Sequence, residues 1–321
     1  MSSTRVVAIT GCDSGLGWAV AARSAREGLV TIAGMYKGTD TDASRALSNL
    51  CAHPYPLDVT RPDSVSRFRD YVQAILRVNT NYRLYAVVNN AGVMTIGDFE
   101  WQTPNIIENT INVNLLGAMR IVSAFLPELR RSVADGIPQT RIRNVTVSEI
   151  FESAIKPRII NVASHCGLQP LPGFGPYCAS KAGLLAWTRA LRLEQRENGL
   201  SASAFIPGGF ISSSNLMSHQ VAQGNDMMEH LSEEQRVLYA NRIKTLCKYL
   251  GAAVSDTRFD SMKDENIIET FMKALSEEHP KELYKVESWR YMFYYNLLKL
   301  PIPESAHKWL TERFINFPRD E

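Results

Sequence analysis

Short apolar segments alternate with longer segments of helical periodicity over about the first 210 residues of the chain. Apolar strands separated by helices are typical of a parallel sheet with helices on both faces, because each connection must cross over the sheet. We therefore predict an α/β fold built on a doubly wound parallel sheet. The predicted strands cover residues 6–10, 29–34, 54–58, 84–89, 158–163 and 201–206, and the predicted helices cover residues 16–27, 64–78, 104–131 and 177–197.

The alternation ends near residue 211, and about 110 residues of less regular pattern follow. A helix around 265–276 and a strand around 282–286 could extend the sheet. Residues 132–156 are long for a connection between a helix and a buried strand, which predicts a surface insertion. We predict one domain over 1–321, with a core over 1–210, the insertion over 132–156, and a C-terminal region over 211–321.

Composition and charge exclude several classes of protein. The 35 Lys and Arg residues against 33 Asp and Glu residues leave a formal net charge of +2, so we expect no nucleic-acid partner. The five cysteines lack the paired spacing of a zinc site or a disulfide framework, which favours a reducing compartment. The apolar run at 6–9 is too short for a signal peptide or a membrane span, so we expect a cytoplasmic protein without an N-terminal anchor.

A glycine-rich loop follows the first predicted strand and opens the first predicted helix. Glycines at such a place let the backbone turn tightly and approach a pyrophosphate at the helix N-terminus. A tight turn that needs glycine only for positive φ explains the same residues, so the loop alone leaves both interpretations open. The loop reads Thr10-Gly11-Cys12-Asp13-Ser14-Gly15-Leu16-Gly17.

Polar residues further along the chain decide between these interpretations. Asn89-Asn90-Ala91-Gly92 follows the fourth strand, Asn114 lies in the next helix, and Ser164 precedes the Tyr177-Cys178-Ala179-Ser180-Lys181 segment. In this order, and with the Gly-x-x-x-Gly-x-Gly loop, the chain resembles the short-chain dehydrogenase/reductase family. It looks most like the branch with retinol and hydroxysteroid dehydrogenases and a 3-hydroxybutyrate dehydrogenase. The resemblance runs from Val6 to about Phe210 and implies a Rossmann-type fold, with 1–210 as a dinucleotide-binding core and 211–321 as a substrate lid and C-terminal extension.

Tyr177, Lys181, Ser164 and Asn114 form the candidate catalytic set. Hydride transfer between a nicotinamide and a carbonyl needs a group that exchanges the hydroxyl proton near neutral pH. Because tyrosine has a reference pKa of about 10, it needs a nearby cation, and Lys181 shares its helix face at i+4. A Tyr-Lys pair at this spacing is by itself common on surfaces. We assign Ser164 to orient the substrate oxygen, and the resemblance implies that Asn114 positions a water while Lys181 also holds the ribose. No metal is required.

The cofactor preference is less defined. NAD-binding relatives carry an acidic residue after the second strand and NADP-binding relatives an arginine, whereas this chain has Tyr36-Lys37. Lys37 either reaches a phosphate or is a solvated loop residue. The resembling branch favours NAD over NADP. The cofactor contacts implied by the resemblance are Thr10, Gly11, Asp13, Ser14, Gly15, Leu16, Gly17, Asp58, Asn89, Ala91, Gly92, Tyr177, Lys181, Pro207, Gly208, Phe210 and Ser212.

The substrate and partners depend mostly on the resemblance. It favours a lipophilic alcohol such as a retinoid or steroid, with a 3-hydroxybutyrate-type acid or a non-catalytic dinucleotide-binding scaffold as alternatives. Met217, Met227 and Met228 either line an adaptable apolar lid or are partly buried in surface helices. The aromatic segment 289–300 either lies at a membrane interface, peripherally on an intracellular membrane, or packs against the core or a second subunit. A homodimer or homotetramer is expected.

Overall fold

The computed structural model describes residues 3–135, 156–209, 215–217, 219–253 and 258–315. Within these residues, the strands are β1 (Thr4–Thr10), β2 (Val30–Met35), β3 (His53–Pro56), β4 (Tyr82–Asn89), β5 (Arg158–Val162), β6 (Ser201–Ile206) and β7 (Leu283–Lys285). The helices are α1 (Gly15–Arg26), α2 (Asp42–Asn49), α3 (Pro62–Val78), α4 (Pro104–Ile111), α5 (Ala118–Asp135), α6 (Gly175–Gln195), α7 (Gln220–His230), α8 (Glu233–Ala253), α9 (Glu265–Ser276), α10 (Trp289–Leu297) and α11 (Glu304–Ile315).

The strands form one sheet in the order β3-β2-β1-β4-β5-β6-β7, and each described pairing is parallel. The predicted doubly wound parallel sheet is therefore confirmed. The strand order reverses direction between β1 and β4, and ligands of such sheets bind at this switch point beyond the carboxyl ends of the strands.

Apolar residues on both faces of the strands build two cores. Val7 and Ile9 of β1 pack with α1 and α9 on one face, whereas Val6 and Ala8 pack with α3 and α5 on the other. Because side chains alternate across a strand, a run without polar residues buries both faces. This double burial fixes β1 and β4 at the centre of the sheet, where their carboxyl ends can hold loops rigidly.

The structure corrects the sequence prediction at three points. Helix α2 was not predicted from the sequence, although Thr41 caps it by accepting a hydrogen bond from the Ser44 backbone nitrogen at 3.2 Å. The helix predicted over 104–131 contains a π-helical turn at Asn112–Gly117. It also continues as α5 to Asp135, with Val133 in the core, because the apolar stripe extends past residue 131. The insertion predicted to begin at 132 therefore starts later, and its residues 136–155 lie outside the described residues.

The region after residue 211 divides into two groups of elements. Helix α9 packs against the sheet and β7 pairs with β6, as the pattern over 265–286 predicted. Helices α7, α8, α10 and α11 instead contribute residues to a cavity above the carboxyl edge of the sheet. The second group is therefore placed to contact a substrate.

One helical segment, Pro104–Val133, is long and apolar enough to cross a membrane by length and composition alone. It comprises α4, the π-helical turn and most of α5. Its Ile121, Phe125 and Leu129 are fully buried in the core against the sheet. We interpret it as a core helix of the α/β fold.

Candidate active site

A cavity of about 1030 Å³ lies above the carboxyl ends of the central strands. One part is lined by the glycine loop, the residues after β2 and β3, and the residues after β4. The other part is lined by the residues after β5 and by α6, α7, α8, α10 and α11. Residues that are distant in sequence therefore meet at one site. Most of the predicted site residues line it: Gly11, Asp13, Ser14, Gly15, Leu16, Gly17, Asp58, Ala91, Gly92, Ser164, Tyr177, Lys181, Pro207 and Gly208.

The glycine loop is tightly packed against the residues that follow β4. Gly11 has φ of +70°, and a Cβ there would lie 2.7 Å from the Ala91 Cα. A Cβ on Gly17 would overlap with the Gly11 carbonyl oxygen and the Asn90 side-chain amide. Ser14 gives α1 no side-chain cap, and the Gly15 backbone nitrogen donates to the Phe259 carbonyl at 3.1 Å, so the backbone N–H groups of Leu16 and Gly17 remain for an anion. The loop forms a cradle that suits a pyrophosphate.

Thr10 and Asn90 hold this cradle together. The Thr10 hydroxyl accepts hydrogen bonds from the backbone nitrogens of Asn90 and Ala91 at 3.1 and 3.0 Å. The Asn90 amide donates to the carbonyl oxygens of Thr10 and Gly11 at 3.1 and 3.0 Å. Thr10 therefore shapes the loop from within and does not line the cavity.

Asn89 needs correction as a pocket residue, because it is its neighbour Asn90 that lines the cavity. Asn89 lies at the end of β4 and donates to the Asn161 side-chain oxygen at 2.8 Å inside the sheet. Asn161 in turn donates to Thr188 at 2.8 Å. Strand β4 ends at Asn89, as predicted, so Asn89 stays within the sheet and the next residue, Asn90, reaches the cavity.

Asp13 joins the glycine loop to the residues after β2. Its two carboxylate oxygens accept hydrogen bonds from the backbone nitrogens of Tyr36 and Lys37 at 2.9 and 2.7 Å. Directly after β2 the chain has Tyr36 and Lys37 and no acidic residue, but Asp13 brings a carboxylate to that place from the glycine loop. Lys37 also lines the cavity, with an exposed side chain.

The π-helical turn places Asn114 beside Lys181. Asn114 accepts from the Val93 backbone nitrogen at 2.8 Å and donates to the Val93 carbonyl and the Ser180 hydroxyl at 2.9 and 3.0 Å. A Cβ on Gly92 would lie 3.3 Å from the Asn114 Oδ1 and 3.6 Å from the Lys181 Nζ, so both groups face the same small space. The family resemblance implied that Asn114 acts with Lys181, and the π-helical turn explains how the two side chains come to face each other.

Tyr177, Lys181 and Ser164 converge in the cavity. Tyr177 and Lys181 lie one turn apart on α6, with the Lys181 Nζ 5.9 Å from the Tyr177 ring centre and bonded to the Val162 carbonyl at 2.8 Å. Ser164 begins the short 3₁₀ turn His165–Gly167 after β5, and its hydroxyl accepts from the Cys166 backbone nitrogen at 3.2 Å. Both lysine and tyrosine are buried, at 4% and 6% exposure.

Burial shifts both ionisation equilibria towards the neutral forms. It lowers the pKa of Lys181 to about 8, because the ammonium group loses its hydration. It raises the pKa of the Tyr177 phenol, an effect that the neighbouring Cys166 strengthens and a hydrogen bond with Ser164 opposes. Lys181 can therefore exchange a proton near neutral pH, whereas Tyr177 holds its proton until something stabilises the phenolate.

His165, Tyr291 and Tyr295 line the cavity but did not stand out in the sequence. The His165 ring lies 4.8 and 5.1 Å from the Tyr291 and Tyr295 rings, and its Nε2 lies 3.1 Å from Glu287 Oε1. Burial lowers the pKa of His165, although Glu287 opposes this effect. The sequence drew attention only to the aromatic segment 289–300. Nothing in that segment indicates which of its side chains face the cavity.

The methionines of the lid are structural. Met217 and Met227 are buried in apolar clusters, and neither lines the cavity. Of the two alternatives, partly buried methionines in helices fit the structure, and aromatic rings form the cavity wall in their place. Phe210 and Ser212, predicted to contact the cofactor, lie outside the described residues.

A family model described as short chain dehydrogenase matches residues 5–137 and 142–223 of this chain. The chain belongs to the short chain dehydrogenase family. The family resemblance and the enzyme class predicted from the sequence, an NAD(P)-dependent oxidoreductase acting on CH–OH groups, are thereby confirmed.

Two curated relatives are similar over most of this chain. The mitochondrial D-beta-hydroxybutyrate dehydrogenase of Bos taurus is 29% identical over 246 residues, which are 74% of this chain and 64% of the bovine protein. Retinol dehydrogenase 7 of Rattus norvegicus is 27% identical over 292 residues, covering 91% of this chain and 83% of the rat protein. A solved short chain dehydrogenase/reductase from Burkholderia phymatum in complex with NAD is 20% identical, with a TM-score of 0.63 and coverage of 88% and 89%. That likeness shows the fold.

Proposed function

We propose that this protein interconverts a lipophilic alcohol and its carbonyl compound, with Tyr177 as the group that donates and accepts the hydroxyl proton. The convergence of Tyr177, Lys181 and Ser164 in the cavity that the glycine loop also lines is the observation that carries the proposal. A 3-hydroxybutyrate-type acid remains the alternative substrate, which the bovine relative's name supports. A scaffold without turnover is less well supported, because the four predicted catalytic side chains are brought together.

The residues of the first part of the cavity fit a nicotinamide dinucleotide. When bound, this cofactor supplies or accepts the hydride. The uncapped first turn of α1 would hold the pyrophosphate, and Asp58, Asn90 and Gly92 would flank the adenosine half. Pro207 and Gly208 after β6 line the cavity near Tyr177, where the nicotinamide half would lie.

The side chains divide the proton transfer between them. Ser164 would donate a hydrogen bond to the substrate oxygen and hold it beside the Tyr177 hydroxyl. As the ammonium form, Lys181 would stabilise the Tyr177 phenolate that forms when the substrate takes the proton. Asn114, held by Val93 and Ser180, faces Lys181 across Gly92 and would position a water that returns the proton.

We also propose that NAD is preferred over NADP. The Asp13 carboxylate lies beside Tyr36 and Lys37, where it would accept hydrogen bonds from ribose hydroxyls and repel a phosphate group. The positively charged Lys37 would attract the same phosphate group. We therefore expect only a modest preference for NAD.

The test measures the absorbance of the reduced cofactor at 340 nm with purified protein. NAD and NADP are offered separately, each with retinoids, hydroxysteroids and 3-hydroxybutyrate. Tyr177→Phe should abolish turnover, because the ring remains and the exchangeable proton is lost, while dinucleotide binding stays measurable. A variant with wild-type turnover would contradict the role of Tyr177. Silence of the wild type across the panel, with the dinucleotide bound, would move the assignment to a scaffold.

A further inference from the structure

The substrate part of the cavity contains one permanently charged side chain among the described residues, Arg290 of α10. The acidic residues that line the cavity, Asp13 and Asp58, both lie in the dinucleotide part. A guanidinium group that faces a cavity and forms no ion pair there is suited to bind an anionic ligand group, often through two parallel hydrogen bonds. The two carboxylates therefore lie at the dinucleotide end of the cavity, and the guanidinium group lies at the substrate end.

Contacts within the protein fix the position of Arg290 and leave part of its guanidinium group available. Its Nη2 donates to the Phe314 carbonyl at 2.7 Å, and its Cζ lies 5.5 Å from the Phe314 ring centre. Within the described part of the chain, no carboxylate lies within ion-pair distance of it. The nearby Glu287 is engaged by Lys285 at 2.8 Å and by His165.

An aromatic layer separates Arg290 from the catalytic turn. His165, next to Ser164, lies 4.8 Å from the Tyr291 ring, and Tyr291 lies 5.2 Å from the Phe314 ring, on which Arg290 rests. Tyr295 belongs to the same layer, 5.5 Å from Phe314. A ligand held by both Ser164 and Arg290 would therefore have apolar aromatic surface beside the part of it that joins these two contacts.

A polar atom in this layer also lacks a strong partner. The Tyr295 residue is only 2% exposed and lines the cavity, and among the described residues its hydroxyl has only the Cys166 thiol, a weak hydrogen-bonding group, beside it. Buried hydroxyl groups are rarely left unpaired, because the loss of hydration costs free energy. A ligand with polar groups would satisfy this atom.

We propose that the substrate is an amphipathic acid: an apolar alcohol or ketone with a carboxylate far from the reacting carbon, bound by Arg290. This inference rests on the proposed function and narrows its substrate class. It distinguishes such a molecule from 3-hydroxybutyrate, in which a single methylene group separates the carbinol carbon from the carboxyl group. In the proposed substrate, an apolar body lies between the hydroxyl and the carboxylate and packs against the aromatic layer.

The test compares matched acids and esters. The affinities of lithocholate and 12-hydroxydodecanoate, each beside its methyl ester, are measured by calorimetry on the full chain saturated with NADH. In the wild type, each acid should bind about tenfold or more tightly than its ester, since a hydrogen-bonded ion pair discriminates by this amount. Arg290→Met should remove the difference, Arg290→Lys should retain part of it, and Arg313→Met, on exposed surface of α11, should leave it unchanged.

Equal affinities for acid and ester in the wild type would overturn the inference. So would a preference for the acid that survives in Arg290→Met, or a failure of both acids to bind. The proposed function is judged separately by turnover that depends on Tyr177. If the enzyme turns over neutral lipophilic alcohols equally well with and without Arg290, the proposed function stands and the inference about Arg290 is wrong.

Discussion

At the scale of single residues, the site depends on an ammonium group that the protein buries. The Lys181 side chain lies beneath the cavity with a single carbonyl partner, Val162, and its pKa falls to about 8. This location disfavours the charged form in the folded state, although the proposed chemistry needs the charge beside Tyr177. The protein therefore gives up stability at neutral pH to keep a cation at the site.

The cost of burying Lys181 predicts a pH dependence of stability. The unfolded chain keeps the lysine proton up to about pH 10.5, whereas the folded protein releases it near pH 8, so stability rises with pH between these values. From pH 7 to pH 9.5, the wild type should gain about 2 kcal/mol in free energy of unfolding relative to Lys181→Met. Urea unfolding without cofactor at the two pH values measures this gain.

The matched control for this measurement is Lys244→Met, which removes an exposed lysine of α8. Its stability should follow the wild type at both pH values. If the difference between wild type and Lys181→Met were independent of pH, Lys181 would not be a buried, deprotonating lysine.

A second prediction for a single residue follows from the packing of the glycine loop. Gly17→Ala places a Cβ where the Gly11 carbonyl oxygen and the Asn90 amide already lie, so the loop must move. We expect the dissociation constant for NADH, measured by fluorescence titration, to rise about tenfold or more. Gly251→Ala on α8 is the control, because its Cβ would meet only Val221 at 3.6 Å. Unchanged NADH affinity in Gly17→Ala would show that the loop does not hold the dinucleotide.

The sequence predicted the residues of the site that belong to motifs and missed those that depend on packing. Tyr177, Lys181 and Ser164 were identified by their resemblance to the family's motif, and the i+4 spacing on one helix and the position of Ser164 after a strand agreed with it. Asn89 was confused with Asn90, because two adjacent asparagines at a strand end cannot be assigned to opposite sides without the register. His165 had no signal, since its role depends on helix α10, more than a hundred residues later in the chain.

At the scale of elements, apolar runs predicted the strands closely because both faces are buried. Strand β6 was predicted with its observed bounds, and β1, β2 and β4 differ by one or two residues at their ends. Helix α2 has only eight residues with few apolar side chains, so its pattern was too weak to detect. The arrangement of α7, α8, α10 and α11 depends on tertiary contacts that no local pattern specifies.

Helices α10 and α11 divide their aromatic residues between two faces. Tyr295 and Phe314 face inward, whereas Trp289, Phe293 and Trp309 are 75%, 53% and 63% exposed. The two interpretations of segment 289–300 are therefore compatible, and we propose that the outer face contacts a membrane surface. Trp and Phe side chains, with lysines nearby, are typical of interfacial helices.

Flotation with anionic liposomes tests this contact. The wild type should float with the vesicles, and substitution of Trp289, Phe293 and Trp309 by Ser should reduce the floated fraction several-fold, since the apolar contact area is lost. The control replaces two exposed residues of α8, Val237 and Leu238, by Ser. Equal flotation of all three proteins, or none by the wild type, would argue against a membrane contact.

At the scale of the whole molecule, the strand order brings distant segments to one edge. The glycine loop, the residues after β4, the catalytic turn after β5 and the C-terminal helices meet there because parallel strands present their carboxyl ends together. The family motifs predicted the dinucleotide part of this assembly. The substrate part could not be predicted, since its wall comes from α10 and α11 and their sequences follow no motif.

The same organisation bears on assembly. The resemblance implies a homodimer or homotetramer, and this remains a proposal. The residues proposed to be catalytic, Ser164, Tyr177 and Lys181, line one cavity of the chain described. Sedimentation of the purified protein tests the proposed oligomer, and a monomer at every concentration would contradict it.

The most direct test of the central claim follows the transferred hydrogen itself. Protein is incubated with NADH deuterated at C4 of the nicotinamide and with retinal, a 3-ketosteroid or acetoacetate, and the alcohol product is analysed by mass spectrometry. We predict that deuterium appears on the carbinol carbon of a lipophilic product with the wild type and not with Tyr177→Phe. Label transfer that is undiminished in Tyr177→Phe, or absent from all products of a wild type that binds NADH, would contradict the account.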